Sequence, residues 1–80
     1  MKMKQTKING LYKISIDHNL WSGAVIVVTE KTDRHHVMNV IDISEQSLRG
    51  QQTVDNNSYI DQKGDFEFIG SIEDFPEYRL

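Results

Sequence analysis

Cysteine is absent from the 80 residues of this chain, which excludes disulfides, thiolate metal sites and thiol nucleophiles together and fits a reducing cytosol better than secretion. Proline occurs once, at Pro76, too sparsely for an extended disordered tail. The glycines at 10, 23, 50, 64 and 70 stand singly, as turns, caps or bulges, so there is no Gly-rich loop to cradle a phosphate. No apolar run approaches the roughly 18 residues that cross a bilayer, and no basic amphipathic helix is available to lie on one. The basic start, Met1-Lys2-Met3-Lys4-Gln5-Thr6-Lys7, has no apolar core behind it, as a secretory signal would require. Cytoplasmic location is the resulting expectation.

What is present is an ordinary folded-protein composition, 38% hydrophobic and 26% charged, in a chain long enough for one domain over 1–80. The net charge of −3 conceals a gradient. Lys2, Lys4, Lys7 and Lys13 lead the chain with no acid among them, whereas Asp61, Asp65, Glu67, Glu73, Asp74 and Glu77 crowd its end against Lys63 and Arg79. The two ends can neutralise each other, or present a two-signed surface.

The organising stretch is 23–31, Gly-Ala-Val-Ile-Val-Val-Thr-Glu-Lys. Five consecutive apolar residues, four of them β-branched, are too short for a buried helix and suit a central strand covered on both faces. Each buried Val or Ile there contributes on the order of 1.5–3 kcal/mol.

Other segments are arranged around it. Residues 1–9 are polar and expected to fray. From 11 to 16 the chain alternates, with Tyr12, Ile14 and Ile16 on one face and Leu11, Lys13 and Ser15 on the other, as in a half-buried first strand. Residues 17–23 gather turn formers around Leu20 and Trp21, a loop that folds both back onto the core. A polar connection at 31–34 leads to a third strand over 35–43. Ser44 to Gly50 has the cap, acid, base and glycine of one helical turn, α or 3₁₀.

Gln51 to Val54 forms a brief strand, 55–58 a turn, and Tyr59-Ile60 the start of another strand. Asp61-Gln62-Lys63-Gly64-Asp65 reads as a hairpin with Gly64 in its left-handed position and 66–72 returning. Phe66, Phe68 and Ile72 share one face of that strand and Glu67, Ile69 and Ser71 the other, and Gly70 marks a bulge or a close crossing; most of the aromatic residues are needed for the core. Pro76 makes 73–80 an extended acidic arm or a single turn, carrying Phe75 and Tyr78.

Catalytic and metal chemistry find little support. His35 and His36 are adjacent, so on a strand they face opposite ways and cannot both ligate one ion beside Asp33 or Asp42. The serines sit in turn or cap contexts, and paired carboxylates near the end have little room for a water-excluding cleft. No catalytic residue, cofactor or metal is assigned.

Strand signals every 10–15 residues, with a single helical turn near 44–48, point to a β-dominated domain. The expected architecture is a small antiparallel barrel or curled sheet of about five strands, resembling SH3-like or OB-like barrels in architecture only. The functional expectation is a non-enzymatic interaction or inhibitor module, a small regulatory accessory protein binding a protein partner. Its contact residues would be Trp21 and the arm residues Glu73, Asp74, Phe75, Glu77 and Tyr78. The alternative is a nucleic-acid-binding barrel using Lys2, Lys4, Lys7, Lys13 and Trp21.

Overall fold

The computed structural model of the chain describes residues 3–78. Five strands, β1 (Gly10–Ser15), β2 (Val25–Lys31), β3 (His35–Asp42), β4 (Gly50–Asp55) and β5 (Asp65–Ser71), form one antiparallel sheet. The order is β4-β3-β2-β1-β5. The apolar run thus occupies the middle strand, and Ala24 to Val28 are all buried. Coverage on both faces is what an unbroken β-branched run requires, and the register supplies it with a neighbour on either side.

The sheet is curled and does not close into a barrel. Three irregularities bend it. Pairing skips Thr29 on β2, Ile41 on β3 and Ile69 on β5, and each extra residue adds local bend and twist. The outer strands β4 and β5 are joined through a short helix, α1 (Tyr59–Lys63), whose Ile60 enters the core.

Each face of the sheet carries its own apolar cluster. The main one comprises Tyr12, Ile14, Ile26, Val28, Met38, Val40 and Phe66, with Met3 and Ile60 brought in from outside the sheet. The second comprises Leu11, Val25, Val27 and Ile41, with Ile69, Ile72, Phe75 and Tyr78 packed on it. Alternation along β1 produces this division directly, since Tyr12 and Ile14 point one way and Leu11 the other.

Several local expectations are corrected. The strand at Tyr59-Ile60 and the hairpin over 61–65 are replaced by α1. Ser58 caps the helix, its Oγ accepting the Asp61 N–H at 3.3 Å, and the Gly64 N–H closes the far end on the Ile60 carbonyl. Gly64 is not left-handed. A Cβ on it would strike the Ile60 carbonyl oxygen, so its smallness is needed for a close approach.

Residues 3–9 do not fray. Met3–Gln5 is a 3₁₀ turn, Met3 is 1% exposed, and its N–H donates to Asp61 Oδ1 at 3.1 Å. Residues 1 and 2 lie outside the described residues. The helical turn expected near 44–48 is a 3₁₀ turn at Gln46–Leu48.

Candidate functional site

The C-terminal segment, expected as an extended arm or a single turn, is not extended but wound into two 3₁₀ turns, Ile72–Asp74 and Pro76–Tyr78. Ser71 caps the first, its Oγ accepting the Glu73 N–H at 3.3 Å, and the Ile72 N–H donates to the Asn9 carbonyl at 2.9 Å. The amides of Phe75 and Tyr78 close successive turns on the carbonyls of Ile72 and Phe75.

This winding sorts the side chains. Ile72, Phe75 and Tyr78 are half-buried against the second cluster, the two rings 6.1 Å apart and tilted, while Glu73, Asp74 and Glu77 face solvent. Phe75 lies directly over Gly70, where a Cβ would come within 2.4 Å of the ring. Of the five arm residues expected to make contacts, the three acids are presented and the two aromatics serve as their base. Residues 79 and 80 lie outside the described residues.

Trp21 is on the other side of the sheet. Its N–H donates to Asn19 Oδ1 at 2.9 Å, and its side chain is half-buried against the main cluster. Gly23, at φ 82°, lets the loop turn into β2. Leu20, expected to fold inward with Trp21, is 52% exposed. Trp21 and the C-terminal segment pack on different clusters, so the two expected contact regions lie on opposite faces of the sheet.

The lysines are likewise dispersed. Lys13 is exposed on the second face, opposite Glu67 in the β1–β5 register. Lys7 holds its Nζ 6.0 Å from the centroid of the Phe68 ring, and its N–H donates to the Tyr12 hydroxyl at 2.8 Å. Lys2 and the side chain of Lys4 lie outside the described residues.

Most aromatic residues were expected to fill the core, but Phe68 is 49% exposed. It does share the face of Phe66, and its ring centroid lies 5.4 Å from that of Tyr12 at a 52° tilt, but β5 is an outer strand and its far end projects past the main cluster. With Ile8, which is also exposed, Phe68 lines a shallow cleft of about 250 Å³ whose rim includes Lys7 and Ser71. Position at the sheet edge, the fact that exposes Phe68, has no local signature in sequence.

A polar cluster sits at the end of the main core. Asn56 Nδ2 donates to the Thr32 carbonyl at 2.9 Å, which turns its Oδ1 toward His36 Nδ1, also at 2.9 Å. A carbonyl can only accept, so Nδ1 carries the imidazole proton and Nε2 is left as a buried acceptor with no partner. Burial holds the His36 pKa below its ordinary 6.5; the Asn56 bond and the nearby Asp61 pull the other way without overcoming it, and Lys31 and His35 add to the lowering. Met3, Lys31, Thr32, Asp33 and Asn56 line a cleft of about 330 Å³ at this end. Lys31 is anchored there, its Nζ donating to the Thr6 carbonyl at 2.6 Å.

The two adjacent histidines go separate ways, as alternation requires. His36 is buried, and His35 sits by the hairpin with Nδ1 3.3 Å from Thr32 Oγ1. Among the described residues no group of three or more His, Asp or Glu side chains is arranged to hold a metal ion. No helix among them is long and apolar enough to cross a membrane. Comparison with protein-family models, with curated proteins and with solved structures finds no match to this chain.

Proposed function

We propose that this chain is a non-enzymatic protein-binding module that offers the acids Glu73, Asp74 and Glu77 to a basic surface of its partner. One observation carries this reading. Phe75 and Tyr78 are packed inward on the sheet, so the acids are borne on two tied turns and not on a loose tail. A preorganised charge surface loses less entropy on binding and steers an oppositely charged partner. A non-catalytic role is favoured by His36, whose free nitrogen is sealed from solvent and from any substrate.

The finer architecture we assign is SH3-like. The first four strands follow one another as neighbours and the fifth returns beside the first, with α1 between β4 and β5, whereas an OB-like barrel is built on a Greek key. We keep the cytoplasm as the proposed compartment, on the absence of cysteine from the sequence.

The test is affinity capture from nuclease-treated lysate, comparing the natural chain with the triple variant Glu73→Gln, Asp74→Asn, Glu77→Gln. A partner retained by the first and lost by the second is the expected result. Identical captured proteins would overturn the reading.

A second reading rests on Phe68, an exposed ring beside a lysine and packed at a tilt against Tyr12, which is a small platform for an unpaired base. A labelled single-stranded oligonucleotide should then bind in a salt-dependent manner. Binding that survives Phe68→Ala with Lys7→Gln would remove this platform from consideration.

A further inference from the structure

The two outer strands differ in a way that bears on assembly. β5 is bulged at Ile69, carries the exposed acids Asp65 and Glu67, and runs straight into a 3₁₀ turn. Bulges and charges are the usual protections of a sheet edge. β4, Gly-Gln-Gln-Thr-Val-Asp, pairs with β3 over all six residues without a register shift. It contains no lysine, no proline and no bulge.

The direction of its backbone groups follows from one hydrogen bond. The Asn56 N–H donates to the Arg34 carbonyl at 2.9 Å, one step beyond the pair His35 and Asp55. Bonded and non-bonded pairs alternate along an antiparallel ladder, so Val54, Gln52 and Gly50 bond inward to β3. Gln51, Thr53 and Asp55 then direct their N–H and C=O groups outward. The Asp55 carbonyl is taken by the Ser58 N–H. No described residue pairs with the outward groups of Gln51 and Thr53.

We infer that β4 is a self-association edge, pairing antiparallel with β4 of a second copy of this chain about a two-fold axis at Thr53. A register centred there brings outward-bonding residues together: Thr53 meets Thr53, and Gln51 meets Asp55 in both directions. No like charges face each other, Gln51 can hydrogen-bond the Asp55 carboxylate, and the paired threonines are a favourable cross-strand combination. On the opposite face Val54 meets Gln52. Val54 and Leu48, the half-buried apolar residues at this border of the main cluster, would gain cover from the added sheet. The second copy is preferred to an unrelated strand because the sequence of β4 is complementary to itself in this register. An edge contact of this size makes a weak, concentration-dependent dimer, and it is independent of the C-terminal acids.

The cysteine-free background makes the test direct. A single Thr53→Cys change places the two sulfurs in a bonded pair with Cα atoms about 5.5 Å apart, within disulfide reach. Mild oxidation should cross-link this variant rapidly and a Glu67→Cys control on β5 slowly. Sedimentation velocity should show the natural chain dimerising as concentration rises. Thr53→Pro removes two inter-chain bonds and no bond to β3, so dimerisation should weaken about tenfold or more. Thr53→Lys, which sets two ammonium groups face to face, is the companion variant should proline disturb the strand, and circular dichroism confirms that either monomer is folded.

A chain that stays monomeric at the highest concentration it tolerates overturns the proposal. So does a dimer insensitive to Thr53→Lys, or cross-linking between Thr53→Cys and Glu67→Cys that outpaces the Thr53 homodimer and so reveals a head-to-tail β4–β5 contact.

Discussion

Gly70 is the position where one added methyl group should dislodge a whole segment. An alanine Cβ there would lie 2.4 Å from Phe75 Cε2 and 3.3 Å from its Cζ, so the ring must leave. Phe75 is half-buried on the second cluster. Full burial of a phenylalanine is worth about 1.5–3 kcal/mol, so about half of that is lost with the ring. Its contact with Tyr78 adds about 0.5–1.5 kcal/mol.

Gly70→Ala should therefore destabilise the fold by about 1.3–3 kcal/mol through Phe75, a fall in Tm of roughly 10 °C for a chain of this size, and the strain of a side chain at φ 158° adds to it. The assay is a double-mutant cycle by urea denaturation. Phe75→Ala alone should cost a similar amount, and adding Gly70→Ala to it should cost less than Gly70→Ala does in the natural chain by about the value of the lost ring contacts, because the clash has already gone and only the strain of a side chain at φ 158° remains. Any cost of alanine to the backbone is common to both backgrounds and cancels. Trp21 fluorescence, reporting from the other face of the sheet, should not change in the folded Gly70→Ala protein. Equal losses in the two backgrounds would show that Phe75 is not what requires a glycine at 70.

Ile26 is fully buried in the middle strand, and Ile26→Asp should abolish the cooperative thermal transition, since an unpaired buried carboxylate costs several kcal/mol against a total of roughly 5; a transition within a few degrees of the natural one would contradict the central placement of β2. The lowered pKa of buried His36 means that the unfolded chain takes up a proton first as pH falls through about 6.5, so stability should decline below that pH until the folded-state pKa is passed. The urea midpoint should show this acid-side decline, and His36→Leu should flatten it; an unchanged slope in that variant assigns the decline elsewhere. Ser58→Ala should cost about 1 kcal/mol by uncapping α1, and Asp61→Ala more, because the Met3 amide loses its acceptor inside the core; chemical denaturation ranks the two.

The middle strand, the alternation of β1 and the 3₁₀ turn after β3 were legible because each rests on a local rule: a β-branched run, a period of two, a cap with a terminal glycine. Gly70 was legible as a bulge or close crossing, but the residue that crosses it was not. α1 had a readable signal, Ser58 with Asp61 three positions on, and it was outweighed by the β-like pair Tyr59-Ile60. That the two expected contact regions lie on opposite faces was not legible, because Trp21 and Phe75 sit on clusters separated by the sheet. Which face a loop folds onto depends on which face still has uncovered apolar surface.

The sequence by itself determined that a central strand must exist and be covered on both sides, because five adjacent apolar side chains leave no face of β2 for water. What covers those faces was decided only in the tertiary structure. Met3 reaches the main cluster through a hydrogen bond to Asp61, 58 residues away, and Phe75 reaches the second through its contact over Gly70. Neither contact leaves a periodicity in the chain, since both form only where the assembled sheet leaves apolar surface that something must bury.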